Sequence, residues 1–364
     1  MKNLKLTYAN KKVLITGNTG FKGSWLSLWL EMLGAEVYGF SDTILDSPSL
    51  FEVISPIQKG HTDFNNIENF EMLNNRIQEI KPDFIFHLAA QALVQPSFAD
   101  PRQTILANAV GTVNILEAAR ISEHDMTLIM ITSDKVYRNN EWVWGYKESD
   151  VIGGEDPYSA SKGMAELAIY SYFQSYLQSM PNIKLAIARA GNVIGGGDWA
   201  KNRIIPDCIR AWSHSKEVEV RNPFSTRPWQ HVLEPIGGYL HLGSSLIKNS
   251  EVNGESFNFG PPANQNHSVQ ELLGELSVHL EDIKYKKHNS NVAHEAGLLK
   301  LNCDKALSKI GWEPSLNFQE TVRYTADWYK AFYSKHEDMR SITSRQIEEY
   351  FNFAQEKKVH WISE

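Results

Sequence analysis

A phenol and an ammonium, Tyr158 and Lys162, stand four residues apart in a chain that opens with Gly17-x-x-Gly20-x-x-Gly23. On an α-helix this spacing puts both groups on one face. A lysine charge beside a tyrosine favours the phenolate, and bringing a tyrosine from about 10 to about 7 takes roughly 4 kcal/mol of preferential stabilisation. A tyrosine so tuned is a base at neutral pH. Upstream, Ser133, Asp134 and Lys135 supply a second group of proton carriers. Two proton-transfer units beside a glycine loop point to an enzyme that carries out more than one proton-coupled step.

These groups need a scaffold, and the chain alternates short apolar runs with helical periodicity. Val13-Leu14-Ile15 reads as a buried strand entering the glycine loop. Trp25, Leu26, Leu28, Trp29 and Leu33 recur at helical spacing, and Gly34 is a C-cap candidate. A second strand over Glu36 to Phe40 completes a β-α-β unit. The alternation continues with a strand over Phe84 to Leu88, a helix over Thr104 to Arg120 and a strand over Thr127 to Thr132. A helix from Tyr158 to about Tyr176 and a strand over Leu185 to Ala188 follow. The pattern predicts an α/β protein with a doubly wound, parallel Rossmann sheet. After Arg189 the glycines at 191 and 195–197 break the alternation, and the chain turns rich in Trp, Pro and Arg. The expectation is a smaller, discontinuous lobe over residues 191–228 and 261–364, with residues 1–190 and 229–260 forming the dinucleotide-binding domain.

Gly17 permits a tight turn, Gly20 lets a pyrophosphate approach the backbone, and Gly23 allows close helix packing. The helix start adds free N–H groups and a positive dipole end. Asn18, Phe21 and Lys22 belong to the same loop; Lys22 reads either as a pyrophosphate contact or as a solvated surface lysine. The second strand ends at Ser41-Asp42, one residue late for a carboxylate that would bind the adenosine ribose. Asp63-Phe64 reads either as a partner for the adenine edge or as a turn or helix cap. No arginine stands at 41–43, so NAD is expected rather than NADP.

The formal net charge of −7 over 364 residues argues against nucleic-acid and anionic-membrane partners. Two cysteines, Cys208 and Cys303, suit a reducing compartment, and the segment from Met1 to Lys5 has no apolar leader core. A cytoplasmic location is expected. His87, inside an apolar strand, reads as a satisfied core histidine, and no spacing suggests a metal site.

Taken together, the glycine loop, Leu88-Ala89-Ala90, Asn108, Ser133 and Tyr158-x-x-x-Lys162 resemble the extended short-chain dehydrogenase/reductase family, which acts mainly on nucleotide sugars. Longer strings narrow the resemblance to the family of CDP-glucose 4,6-dehydratases. They are Thr16-Gly-Asn-Thr-Gly-Phe-Lys-Gly-Ser-Trp-Leu26, Ser133-Asp134-Lys135, Ala190-Gly-Asn-Val-Ile-Gly-Gly-Gly-Asp-Trp199 and Arg227-Pro-Trp-Gln-His-Val232. The resemblance implies that Tyr158 takes the sugar 4-hydroxyl proton while C4 is oxidised. Lys162 would hold the nicotinamide ribose, and Ser133 would bond to the 4-oxygen. Asp134 would protonate the leaving 6-hydroxyl. It places Leu88, Ala89, Ala90 and Asn108 at the cofactor, and Gln91, Asn192, Arg203 and Arg227 at the substrate. It also implies a homodimer or homotetramer and a role in making deoxysugars for O-antigen lipopolysaccharide. Lys135 departs from the dTDP-glucose relatives, which carry Glu there as the base for C5. A lysine acts as that base only when neutral; otherwise it stabilises the enolate by charge. Two other readings are a nucleotide-sugar 4-epimerase, whose relatives have small or hydroxylic residues at these two positions, and a silent dinucleotide-binding sensor.

Overall fold

The computed structural model describes residues 1–44, 47–56, 61–220, 222–281, 283–287, 298–334 and 337–363. Six strands follow in chain order: β1 Lys12–Thr16, β2 Glu36–Ser41, β3 Thr62–Phe64, β4 Phe84–His87, β5 Met126–Ile131 and β6 Ile183–Ala190. With the strand Ser256–Phe259 they form one seven-stranded sheet, in the order Ser256–Phe259, β6, β5, β4, β1, β2, β3. Every pairing is parallel. This is the doubly wound arrangement that the alternating pattern predicts. β4 and β5 are buried along their whole length because helices cover both faces. The order reverses between β1 and β4, and in such sheets the ligand crevice opens there, beyond the carboxyl ends of the strands.

Two elements differ from expectation in ways that matter for the site. β2 extends to Ser41, so Asp42 is the first residue beyond the strand tip and no longer arrives late. The helix expected over Thr104 to Arg120 is broken into Pro101–Ile105, a π-helical turn Leu106–Val110 and Gly111–Arg120. The extra residue in a π turn rotates one side chain out of the regular ladder, and Asn108, within this turn, is buried.

The helix Phe21–Met32 follows the glycine loop and is buried on every side from Gly23 to Leu30. A helix lying on one face of such a sheet normally keeps its outer side wet. Here the helix Met339–Glu356 covers that outer face. The Trp29 ring meets Tyr350 and Phe351 edge-on, with centroids 5.9 and 5.4 Å apart. Arg340 binds the carbonyl of Ile54 at 3.0 Å and pairs with Glu31.

Past β6 the chain makes short ladders: Val193–Ile194 beside Gln230–His231, Thr226–Arg227 against His267–Ser268, and Glu217–Val220 beside Lys284–Lys287. The helix Leu233–Lys248 then returns to pack on β5 and β6. Near its start, Glu234 is buried and accepts from the backbone N–H of Ser315 at 2.9 Å and of Leu316 at 2.6 Å. Tyr350 donates to its other oxygen at 2.8 Å. Burial outweighs these bonds and pushes the Glu234 carboxyl up to about 7. Its folded pKa therefore lies above the unfolded one, so the stability it adds is full below about 4.5 and is lost as pH rises through about 7. At about 1.4 kcal/mol per unit the swing is on the order of 3 kcal/mol. Glu234→Gln keeps the acceptor oxygen for both backbone N–H groups. Its Tm, followed by circular dichroism, is expected to match the parent near pH 5 and exceed it at pH 8.

Candidate active site

Gly17 sits at φ +75°, and a Cβ there would lie 2.8 Å from the Ala89 nitrogen. A Cβ on Gly23 would lie 2.1 Å from the Gly17 carbonyl oxygen. Gly20 is different: its nearest neighbour is the Gly17 oxygen at 3.4 Å, and as N-cap of Phe21–Met32 it leaves the helix start without a side-chain cap. Two glycines are thus consumed by packing, and the third, whose own N–H turns back to the Gly17 carbonyl at 3.2 Å, opens a helix start that has no side-chain cap. That cradle fits a pyrophosphate. Ser41 fixes the loop by donating to Asn18 Oδ1 at 2.8 Å, and Asn18 in turn donates to Thr62 Oγ1 at 3.1 Å. Phe21 packs beside Gly195, and Asp42 stands exposed at the β2 tip, where a ribose hydroxyl would reach it. The Asp63 carboxylate pairs with Arg76, so of the Asp63-Phe64 pair it is the exposed Phe64 that faces outward.

Two residues read as ligands are internal struts instead. Asn108 accepts from Gln91 N at 2.8 Å and donates to the Gln91 carbonyl at 3.0 Å and to Ser161 Oγ at 2.8 Å. Both ends of its amide are spent inside the protein, tying the Leu88-Ala89-Ala90-Gln91 loop to the Tyr158 helix. Gln91 folds onto its own loop, donating to the carbonyl of Leu93 at 2.9 Å and accepting from Leu93 N at 2.6 Å.

At the carboxyl end of β5 the chain leaves the sheet as Ser133, then enters a short 3-10 turn, Asp134–Val136. Opposite it, Pro157–Ser175 starts with Asp156 as N-cap, its carboxylate accepting from Ser159 N at 3.0 Å. This register brings Tyr158 and Lys162 against the β5 end. The Ser133 hydroxyl lies near enough to Tyr158 to favour its phenolate, and it donates to Asp134 Oδ1 at 2.9 Å. The result is a continuous row, Tyr158–Ser133–Asp134, in which all three residues are buried.

The electrostatics of this row differ from expectation. Desolvation pushes Tyr158 up to about 12, the Ser133 hydroxyl only partly opposing it. Lys162 is itself desolvated and held down to about 8, with the buried Glu166 one turn along the helix as its counter-charge. The Lys162 ammonium lies 3.5 Å from the Ile131 carbonyl. Burial thus outweighs the Ser133 hydroxyl and the Arg203 charge, and Tyr158 rests as a phenol. Asp134 is also raised, mainly by burial, against the opposing pull of Lys135, Lys22 and Arg227. A carboxyl biased toward its protonated form is what an acid for a leaving hydroxyl requires.

Lys22 is not a solvated surface lysine. Its ammonium lies 3.5 Å from the Tyr239 hydroxyl, feels Arg203, Asp134 and Lys162, and is held down to about 8, chiefly by burial. Tyr239, on the returning helix Leu233–Lys248, is a site neighbour that motif reading missed; only its place after two glycines in that helix hinted at close packing. Sequence reading also missed the buried pair beneath the row. Arg189 Nε donates to Glu166 Oε1 at 2.8 Å, Thr132 Oγ1 donates to the same oxygen at 2.6 Å, and Arg189 Nη1 donates to Tyr137 at 2.7 Å. His87 is a core histidine, bonded to Thr16 and Thr112 hydroxyls at 2.8 and 3.1 Å and held down to about 3 by burial. His231 is likewise buried and neutral, its ring edge-on to Trp25 and Tyr324.

Arg203 and Arg227 reach the site from the chain past β6: Arg203 acts on Tyr158 and Lys22, Arg227 on Asp134. Asn192 is half-buried one residue beyond Gly191. A Cβ on Gly191 would lie 3.0 Å from Asp134 Oδ2 and 4.0 Å from Pro228. Gly191→Ala therefore displaces the carboxylate by a few tenths of an ångström. The expected outcome is about a tenfold fall in kcat, or about 1.4 kcal/mol, with an unchanged melting temperature.

A model of the GDP-mannose 4,6 dehydratase family matches residues 14–325. The chain belongs to this family. Among family relatives, a CDP-glucose 4,6-dehydratase of Salmonella typhimurium is 41% identical over 350 residues, spanning 95% of this chain and 97% of that protein. A human dTDP-D-glucose 4,6-dehydratase is 22% identical, spanning 88% of this chain and 90% of that one. The fold is shared with an epimerase of Methanothermobacter thermautotrophicus (TM-score 0.79, 24% identity, 92% of this chain and 96% of that one). It is also shared with a dTDP-glucose 4,6-dehydratase of Bacillus anthracis solved with NAD (TM-score 0.73, 22% identity, 89% and 98%). Among the described residues, no helix is long and apolar enough to cross a membrane, and no His, Cys, Asp and Glu cluster could hold a metal ion.

Proposed function

We propose that this protein is a lyase that converts CDP-D-glucose to CDP-4-dehydro-6-deoxy-D-glucose and water, with NAD as its recycled cofactor. The observation that carries this reading is the row Tyr158–Ser133–Asp134, which sets a carboxyl acid beside a phenol. A 4-epimerase has no leaving group to protonate and no use for that acid.

The N–H groups of the helix start at Phe21 would hold the pyrophosphate, Asp42 the adenosine ribose and Lys162 the nicotinamide ribose. When bound, NAD+ supplies a hydride acceptor for C4, a positive ring that draws Tyr158 toward the phenolate, and the hydride that C6 later receives. Tyr158 takes the proton of the 4-hydroxyl, and Ser133 bonds to the 4-oxygen. The ketone at C4 acidifies the C5 proton. Lys135, half-buried beside Asp134, removes that proton or stabilises the resulting enolate by its charge. Asp134 delivers its proton to the departing 6-hydroxyl. Arg203, Arg227 and Asn192 bind the diphosphate, whose oxygens suit a guanidinium fork. In this reading residues 1–190 and 229–260 hold the dinucleotide, and 191–228 and 261–364 hold the nucleotide sugar.

The protein works in the cytoplasm, where nucleotide sugars for surface polysaccharides are made, and as a homo-oligomer. Met164, Leu167 and Tyr170 stand exposed along one face of Pro157–Ser175, with Val110 and Ile121 exposed on the neighbouring segment. Such a stripe suits a second copy of this chain. Incubation with CDP-, dTDP-, GDP- and UDP-glucose plus NAD tests the activity. Mass spectrometry is expected to show loss of one water from CDP-glucose without net formation of reduced cofactor. A product of unchanged mass and inverted C4 would refute the reading.

A further inference from the structure

The reaction does not explain the triple glycine after Asn192. A Cβ on Gly196 would lie 2.0 Å from the Trp328 ring, and Gly197 sits at φ +85° with Leu50 2.5 Å from its missing Cβ. The Trp25 indole donates to the Gly196 carbonyl at 3.0 Å, and the Tyr329 hydroxyl donates to the Asp198 carbonyl at 2.5 Å. Trp199 is buried against Trp328, Tyr329 and Phe332. The backbone is therefore pinned before, at and after Asp198. That residue is only 4% exposed, a costly position for a carboxylate unless it is spoken for. Its Oδ1 accepts from Ala200 N at 3.0 Å, and its Oδ2 accepts from Arg203 Nη1 at 2.9 Å.

Arg203 is the N-cap residue of Ile204–Ser213, and its side chain is 34% exposed. A long side chain at such a place must otherwise order several torsions when a ligand arrives. A guanidinium carries five donors, so one bond to a carboxylate is compatible with two-point binding of a phosphate. We propose that Asp198 is a positioning residue: the pinned glycine turn holds its carboxylate so that Arg203 is already aimed at the substrate diphosphate before substrate binds. The proposal rests on the reading of Arg203 as a diphosphate ligand. Asp198 itself touches no substrate; it acts through the arginine.

A double-mutant cycle on the full-length enzyme tests this, with KM for CDP-glucose, kcat and the NAD dissociation constant measured for each variant. Asp198→Ala is expected to raise KM about tenfold, the worth of one charge-assisted hydrogen bond, with kcat within about threefold. NAD binding stays unchanged, which a general loosening of the fold would not allow. Asp198→Asn keeps the turn to Ala200, carries the test if the alanine variant does not fold, and is expected to raise KM about threefold. In an Arg203→Ala background, adding either Asp198 change is expected to leave KM within about twofold, because the arginine through which Asp198 acts is gone. Full additivity in that background, or a parental KM in Asp198→Ala, would overturn the positioning role while leaving Arg203 as a ligand. A parental KM in Arg203→Ala itself would overturn the diphosphate reading, and the positioning role with it.

Discussion

Tyr158→Phe is expected to stay folded and to lose turnover by about 10²- to 10⁴-fold, roughly 3–5 kcal/mol. The residue is buried in the row with Ser133 and Asp134, and phenylalanine fills the same space, so stability should change little. What disappears is the group that receives the 4-hydroxyl proton. Drawing a phenol from about 12 to its phenolate at pH 7 costs roughly 7 kcal/mol at about 1.4 kcal/mol per unit. The row must recover most of that only when the cofactor's charge and the substrate hydroxyl are in place. A further expectation follows for the parent enzyme: since the active form is the deprotonated one, kcat rises with pH on its acid limb. Single-turnover mixing with CDP-glucose, followed by absorbance of the reduced cofactor, checks the variant. Fast C4 oxidation in Tyr158→Phe would place the base elsewhere.

Asp134→Asn is expected to separate the two halves of the reaction. Oxidation at C4 continues, because Tyr158 and Ser133 remain, but the 6-hydroxyl departs without its proton donor. Overall kcat falls by about 10²- to 10³-fold, within the range for loss of a positioned acid. Quenched samples analysed by mass spectrometry should then contain the 4-keto-glucose nucleotide with its 6-hydroxyl intact. The parent enzyme has the opposite slope on this step. Burial raises the Asp134 pKa, and the acid works while protonated, so the rate falls as pH rises through that raised value. Lys135→Met acts at the same stage, slowing loss of the C5 proton. Normal turnover in that variant would reduce Lys135 to a structural charge.

The contrast between Tyr158 and Asp134 shows what a sequence conveys about such a site. Spacing is local, so the pairing of Tyr158 with Lys162 on one helix face, the strand-loop-helix start at Gly17 and the parallel alternation were all readable. Desolvation is not local. It depends on how much chain from elsewhere lies over a group; it reversed the expected direction for Tyr158, and of the two readings of Lys22 it disfavours the solvated surface lysine. The same holds for Asn108 and Gln91, whose amides look like ligands in a motif; that of Asn108 is consumed by the Gln91 backbone and Ser161, that of Gln91 by Leu93 and Thr104. The π turn at Leu106–Val110 has no composition signature, yet it is what carries Asn108 inward. Asp198 stood in a string already noticed, but its partner Arg203 becomes meaningful only once the glycine turn is folded.

The helix Met339–Glu356 has a consequence for how the protein is made. Trp29, in the first β-α-β unit, finds Tyr350 and Phe351 as neighbours only after more than 300 further residues have been synthesised. Until then, the helix behind the glycine loop carries an uncovered tryptophan face on the growing chain. A nascent chain halted before residue 339 would therefore be a client for whatever shields apolar surface at the ribosome.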